Sequence, residues 1–409
     1  MTPARILYVN PTAQLGGAEY SLLDLASSLD GSRFVPTLAC FGEGPLASEA
    51  ALRGIRVVPL RMPRQFAQLS LKGERSGAAA LAVAAASAAP LAWRLRQLAA
   101  DAAIVHTNGN KAHVLASLPT RRARLVWHVR DFWRDGAIER SMARFANSRV
   151  SAVIANSSAV RAHLIGLGVV ETLVQAVPNG IDIERFRPDG GEAPLREQFG
   201  WSPQTPLVGI VGMLARWKGQ HVVLRAFAEV LRRRPEARCV ISGDEIYVTR
   251  GQTGFGAELQ HLIRELRIEH AVGLTGYRTD VPAILRALNV IVHASIEPEP
   301  FGRVIAEGMA TGKPVIATDA GGVPEVTGQT GAAALLVPAG DVSALAGAIL
   351  RLLDHPAEAQ RLGIAGRHRI VENFSIAGHV ERVQAVYERL LSSPAAYHHS
   401  ARPLPGEAR

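Results

Sequence analysis

The sequence predicts an α/β protein in two domains, and three observations carry that expectation. The chain opens with an apolar strand, a glycine turn and a helix, the usual start of a nucleotide-binding type of fold. After an irregular stretch with prolines, residues 182–206, the same alternation begins again. Residues 295–325 then compress a loop, a helix, a strand and a glycine turn into one unit, with acids at the strand ends, where open α/β sheets bind ligands. At 409 residues the chain exceeds one typical domain.

In the first domain, residues 1–182, the strand 5–9 reads R-I-L-Y-V and the loop 10–17 ends in Gly16-Gly17. Residues 18–29 have Leu22, Leu23, Leu25 and Leu29 at helical spacing. Residues 34–41 and 55–59 read as further strands. The stretch 76–100 is rich in alanine and contains Pro90. Its clearly apolar part, 78–92, is shorter than the roughly 20 residues of a membrane span, so one or two amphipathic helices are expected, with Trp93 and Leu95 facing inward. Peripheral contact with a membrane here is the minority reading. Residues 104–106 and 125–129 are strands, and the second delivers W-H-V-R-D-F-W, with His128, Arg130 and Asp131 at its carboxyl end. The strand 152–157 ends in N-S-S, which caps the next helix. Residues 175–181 form the last strand before a linker at 183–206.

The second domain, 207–371, starts with the strand 207–211 and the loop G-M-L-A-R-W-K-G-Q before a helix at 221–233. Arg216 and Lys218 in that loop can clamp a diphosphate, the Arg as a planar fork and the Lys as a point charge. A solvated surface pair is the competing reading. Strands at 238–242, 272–276 and 289–294 alternate with helices at 257–266 and 281–287, and 245–256 is a polar loop. Helices at 344–353 and 357–371 follow, then a last amphipathic helix at 374–391. Residues 393–409, with Pro, His and Ser, are expected to be a disordered tail.

Composition narrows the function class. Two cysteines, Cys40 and Cys239, give no disulfide framework and fit a reducing compartment, and residues 1–9 lack a signal-peptide layout, so a cytoplasmic location is expected. The net charge is +9, and residues 1–190 hold 22 Lys and Arg against 14 Asp and Glu. That excess fits a phosphorylated acceptor or an anionic membrane surface at the inner face; an Arg-decorated solvated surface fits it equally. No basic run is interleaved with aromatics, which argues against nucleic acid as a partner. A phosphate loop of the G-x-x-x-x-G-K-[ST] type, a Cys/His set with zinc spacing and a D-x-D motif are all missing.

The chemistry concentrates in 295–325. Glu299 and Glu307 stand eight positions apart, with Pro300, Phe301 and Gly302 after the first and an apolar segment carrying the second. A helix starting near Pro300 would present unpaired amides to an anion. This pattern, with V-P-N-G-I-D at 177–182 and the 212–220 loop, resembles the retaining nucleotide-sugar glycosyltransferases of GT-B fold, the family 4 (group 1) type. The resemblance covers most of 1–390 and is strongest over 207–330. It implies two Rossmann-like domains facing a cleft, with the terminal helix, 372–392, returning to the first.

The resemblance also implies roles. Lys218 and Arg216 would stabilise the leaving diphosphate. The family's usual Arg directly after Gly212 is replaced here by Met213, so Arg216 must serve. Glu299 would bind hydroxyls of the transferred sugar, and the amides at Phe301, Gly302 and Arg303 would hold sugar or diphosphate. Glu307 would clasp the ribose diol, and Tyr277 and Arg278 would frame the base. Gly16 and Gly17 would approach the diphosphate or the acceptor, and His128 would touch the transferred sugar. The donor is a nucleotide-diphosphate sugar, the acceptor a glycan, lipid-linked or natural-product molecule. No cofactor and no metal are expected, the configuration being retained with the leaving phosphate as base. Three alternatives stay open: a nucleotide-sugar epimerase, a non-catalytic nucleotide-sugar binder, and a nicotinamide-dependent dehydrogenase. The last needs G-x-G-x-x-G, which Q-L-G-G-A-E is not.

Overall fold

The computed structural model describes residues 2–61, 89–120, 122–245, 254–328 and 331–393. The described strands form two wholly parallel sheets. The first holds β1 (Ala4–Asn10), β2 (Phe34–Phe41), β3 (Arg56–Leu60), β4 (Ile104–Asn108), β5 (Arg124–Val129), β6 (Ala152–Ala155) and β7 (Val174–Ala176) in the order β3-β2-β1-β4-β5-β6-β7. The second holds β8 (Leu207–Val211), β9 (Arg238–Ser242), β10 (Val272–Gly276), β11 (Val290–Val292), β12 (Val315–Thr318) and β13 (Leu335–Val337) in the order β10-β9-β8-β11-β12-β13. Each order reverses beside its first strand, which is the Rossmann arrangement. This is the two-lobed α/β architecture that the sequence predicts.

The strands form because they are apolar on both faces, as sheets covered by helices on both sides require. In β1, Ile6, Leu7, Tyr8 and Val9 are all buried, and β8 is buried throughout. Ser157 accepts a hydrogen bond from the Val160 amide at 3.1 Å and caps the helix Ser158–Gly166 as its sequence indicates.

Two expectations change. Trp93 is 63% exposed, while Leu91, Leu95 and Ala99 face the core. The inward residues fall on the i, i+4 series of the helix Ala89–Ala100, and Trp93, two positions from both Leu91 and Leu95, falls on the opposite face. The alanine-rich residues 76–88, the loop residues 246–253 and the tail 394–409 lie outside the described residues. In the second lobe, the helix after Glu299 begins at Arg303 and not near Pro300, because Gly302 takes a left-handed φ of 86° and resets the chain there.

Residues 182–206 are irregular apart from the short helix Leu195–Gln198, and they pack on the second lobe. Phe186, Ala193 and Leu195 enter its core, and the Arg286 guanidinium ties down the carbonyls of Arg187 and Gly191. The helix Pro356–Asn373 lies on the same lobe, and the chain then turns back. Ile181 and Ser375 bridge in parallel, and Ser375 caps the helix Ile376–Ser392. That helix buries Val380, Val383, Val386 and Tyr387 against Ile6, Tyr8, Leu22 and Phe34 of the first lobe, an apolar stripe at helical spacing. The Tyr387 hydroxyl lies 3.0 Å from that of Tyr8 and 2.7 Å from His106 Nδ1. None of the described helices is long and apolar enough to cross a membrane.

Removing the Tyr387 hydroxyl strands Tyr8 and His106 in a dry interior. Tyr387→Phe is therefore expected to lower the unfolding free energy by about 1–3 kcal/mol, read as a lower urea midpoint. Ala385→Ser, on the exposed side of the same helix, should stay within about 0.5 kcal/mol.

Candidate functional site

The site forms where both strand orders reverse. In the second lobe the loop after β8 carries Arg216–Lys218 as a tight turn, and Gly219 ends it at a φ of 74°. A Cβ at Gly219 would lie 1.9 Å from the Ala294 carbonyl oxygen, so only glycine lets this loop press on the segment after β11. The approach is fastened by the Ile296 amide donating to the Trp217 carbonyl at 2.8 Å. From the other side, Glu299 bridges Gly321, where a Cβ would stand 2.4 Å from the Glu299 carbonyl oxygen.

These two close approaches bring Lys218 and Glu299 together. Lys218 Nζ donates to Glu299 Oε2 at 2.7 Å. The same oxygen accepts from Ser295 Oγ at 3.1 Å and lies 3.2 Å from His293 Nε2. Burial disfavours the carboxylate, yet Lys218 and His293 hold it well below the usual carboxylate range. His293 and Ser295 escaped sequence reasoning; the only signal was a histidine ending an apolar strand.

Arg216 does not join this cluster. It is half-exposed, pairs with Glu258 and lies over the Phe255 ring, on the far side of the loop. The Phe301 ring is buried against Phe374, 5.9 Å between centroids, so only its backbone is left for a ligand. Gly302 and Arg303 open the helix Arg303–Ala310, whose first amides have no partner within the helix. Glu307, one turn on, is met by Arg303 Nε at 2.6 Å. Burial pushes the Glu307 carboxyl up, and Arg303 pulls against it. Gly212, with φ at 148°, has open space where a side chain would stand. Arg278 is forked onto Asp280 at 2.6 and 2.8 Å. Tyr277 is 47% exposed, and burial together with its hydroxyl pushes Tyr20 of the first lobe up to about 12.

In the first lobe, Gly16 caps the helix Gly17–Ser27, and its amide is held by Glu19 Oε2 at 3.1 Å. Gly17 abuts the second lobe: a Cβ there would sit 3.9 Å from Arg303 Cδ. His128, ending β5, is fully enclosed. Its protonation follows from its partners. Arg130 Nη2 only donates and reaches His128 Nδ1 at 3.2 Å, so the ring's proton is on Nε2. His106 Nε2, 3.2 Å from that same Nδ1, must be the donor, and His106 Nδ1 then accepts from Tyr387. Burial and the neighbouring Arg130 hold both rings neutral. His128 Nε2–H has no partner among the described residues. Opposite it, 6.1 Å between centroids, His379 commits Nδ1–H to the Pro178 carbonyl at 2.7 Å and keeps a bare Nε2. Arg130 is buried with neutral acceptors, Asn108 Oδ1 at 2.7 Å and Asn179 Oδ1, and desolvation takes its guanidinium down to about 9. The sequence marked Arg130 only as a strand-end residue and Asn179 only as part of the V-P-N-G-I-D junction; Asn108 and Tyr387 carried no signal.

The lobes touch through charge. Arg303 Nη2 meets Asp24 Oδ2 at 2.7 Å and Nη1 meets Ser21 Oγ at 2.9 Å. The Ser158 amide donates to Glu325 Oε2 at 2.7 Å. Among the described residues no three His, Cys, Asp or Glu side chains gather as metal ligands.

Comparison with known proteins agrees with this geometry. Residues 192–369 match the family described as glycosyl transferases group 1, and residues 15–185 match glycosyltransferase family 4. The chain is 30% identical to the lipopolysaccharide core biosynthesis mannosyltransferase LpsB of Rhizobium meliloti over 61% of its own length and 68% of that protein. It is 29% identical to the GDP-mannose-dependent alpha-(1-6)-phosphatidylinositol monomannoside mannosyltransferase of Mycolicibacterium smegmatis, over 80% and 82%. HepE of Anabaena, solved with UDP and glucose, superposes with a TM-score of 0.80 at 27% identity, covering 95% of this chain and 99% of that one. With two parallel-sheet lobes, a Lys–Glu pair at the second switch point and these relatives, the chain belongs to the group 1, family 4 glycosyltransferases of GT-B fold.

Proposed function

We propose that this glycosyltransferase moves a hexose from a nucleoside-diphosphate sugar to a glycan, lipid-linked or natural-product acceptor, with retention and without a metal. The observation that carries the reading is the 2.7 Å Lys218–Glu299 contact at the β8/β11 crevice, one helix away from Glu307. Sugar transfer leaves negative charge on the β-phosphate while the sugar becomes cation-like, and a catalyst must stabilise both. Lys218 takes the phosphate charge, helped by the amides that open the helix Arg303–Ala310. Arg216 adds to the field from the rim of the loop. Glu299 accepts hydrogen bonds from hydroxyls of the transferred sugar, and Glu307 takes the two ribose hydroxyls. Tyr277 and Arg278 flank the base, and the Gly16-Gly17 loop and Gly212 leave room for the diphosphate; His128, fully enclosed with its Nε2 turned to His379, does not reach the sugar in this arrangement.

Retention follows the front-face route, in which the departing phosphate takes the acceptor proton, so Glu299 needs no role as a nucleophile. LpsB is named for lipopolysaccharide core and the second mannosyltransferase for a phosphatidylinositol mannoside; both favour a lipid-linked acceptor here. The basic first half fits one presented at an anionic membrane from the cytoplasmic side. The base and the sugar are read by a panel of UDP- and GDP-sugars in thermal shift, because a true donor raises the melting temperature by mass action.

Lys218→Ala and Glu307→Ala are each expected to lower kcat/KM at least a hundredfold while the melting temperature stays within a few degrees of wild type. Near-wild-type turnover in either variant would remove the proposed site. Release of nucleoside diphosphate with a glycosylated acceptor is the expected product pattern; isomerised nucleotide sugar in the absence of acceptor would mean an epimerase. EDTA should leave the rate unchanged, and a loss that Mg²⁺ restores would contradict the metal-free reading.

A further inference from the structure

Asp24 lies in the first lobe, on the helix Gly17–Ser27, and the proposed reaction gives it no task. Yet it is 6% exposed and its carboxylate takes two guanidiniums, Arg303 Nη2 at 2.7 Å on Oδ2 and Arg53 Nη1 at 2.8 Å on Oδ1. Burial works against its charge, and the two arginines more than offset that. Arg303, from the other lobe, divides its donors among three acceptors: Glu307 Oε1 at 2.6 Å through Nε, Ser21 Oγ at 2.9 Å through Nη1, and Asp24 through Nη2. One rigid planar fork therefore crosses the cleft with every arm engaged.

That arrangement bears on Glu307. A buried carboxylate with no cation beside it tends to take a proton, and a protonated acid accepts poorly from a diol. A Glu terminal torsion is broad, so a free carboxylate also samples many orientations. Nε of Arg303 occupies Oε1 and leaves Oε2 without a protein partner among the described residues. Arg303 in turn can hold that pose only if its far end is fixed, and the far end belongs to the first lobe.

We propose that Asp24 is a positioning residue for the donor: by anchoring Arg303 it keeps the Glu307 carboxylate aimed at the ribose diol of a nucleoside diphosphate. This rests on the ribose reading of Glu307 given above. It makes a first-lobe acid part of a second-lobe binding site and ties ribose recognition to the approach of the two lobes.

Calorimetric titration of the full chain with UDP, GDP and their 2′,3′-dideoxy analogues tests it. Wild type should bind the ribonucleotide about tenfold tighter than its dideoxy analogue, as expected for hydrogen bonds to a charged acceptor. In Asp24→Asn the ribonucleotide should weaken about tenfold and the dideoxy analogue should not change, so the discrimination vanishes. Arg303→Lys, which keeps a cation but loses the fork, should do the same. Equal weakening of both nucleotides, or wild-type discrimination in Asp24→Asn, would overturn the proposal. Absence of discrimination in wild type would overturn the ribose reading itself, and this role with it. Should Asp24→Asn not fold, Ser21→Ala removes one arm's acceptor alone; about threefold loss of discrimination is expected, and none would overturn the proposal.

Discussion

A parallel sheet whose strand order reverses beside its first strand must open a crevice there, because the connecting loops on either side turn away from each other. Every functional feature of this molecule follows from that constraint being met twice, between β1 and β4 and between β8 and β11. The second crevice is narrow enough for chemistry only because two glycines let backbones meet. Gly219 brings the Lys218 turn against the segment after β11, and Gly321 seats under the Glu299 carbonyl. A side chain at either point would separate the ammonium from the carboxylate, whatever the rest of the sheet did.

The two lobes are held in register by different physics at different places. At the back, the terminal helix contributes an apolar stripe and a buried polar chain, Tyr8 to Tyr387 to His106 to His128, in which every proton direction is set by Arg130 at one end. At the front, the contact is polar: a buried ion pair, Arg303 to Asp24, and an exposed hydrogen bond from the Ser158 amide to Glu325. Burying such groups is costly unless all are paired, so the front contact favours one relative placement of the lobes and penalises near misses. A purely apolar interface would tolerate sliding.

Much of this was legible in the sequence, and the boundary of legibility is physical. Strands β2, β8, β9 and β10 match their expected ranges because short apolar runs between turn signals have few alternatives. The Glu299–Glu307 spacing was legible as a local motif, whereas placing Lys218 with Glu299, 81 positions away, came from the family resemblance. The helix start was misplaced by three residues because Pro300 is a permissive signal, whereas the left-handed Gly302 is decisive and cannot be told from sequence. Trp93 was placed inward together with Leu95, but two positions along a helix turn a side chain to the other face, and Leu91, Leu95 and Ala99 took the core side. Arg216 was put beside Lys218 in the diphosphate clamp, in place of the Arg that the family has where Met213 stands. The two lie two positions apart in a turn of three residues per revolution, so they project in different directions, and Glu258, distant in sequence, captured Arg216. The partners Asp24, Ser21 and Tyr387 were invisible because contact between residues hundreds of positions apart leaves no local trace, whereas His293 lies only six positions before Glu299 and was missed because a histidine ending an apolar strand names no partner.

The charges of the site are paired among themselves. Lys218 is spent on Glu299, and Arg303 on Glu307 and Asp24. On the proposed reading, a diphosphate entering the crevice competes for cations that are already paired. Binding becomes an exchange: as the ammonium of Lys218 turns to phosphate, Glu299 loses its strongest partner and needs another donor. The hydroxyls of the transferred sugar are the groups able to supply one. A nucleoside diphosphate without sugar leaves Glu299 buried with only His293 and Ser295, which is unfavourable for a charge in so dry a place. On that reading, the pairing would favour the intact donor over its own product, a bias built from one ion pair that suits release of nucleotide after each turnover.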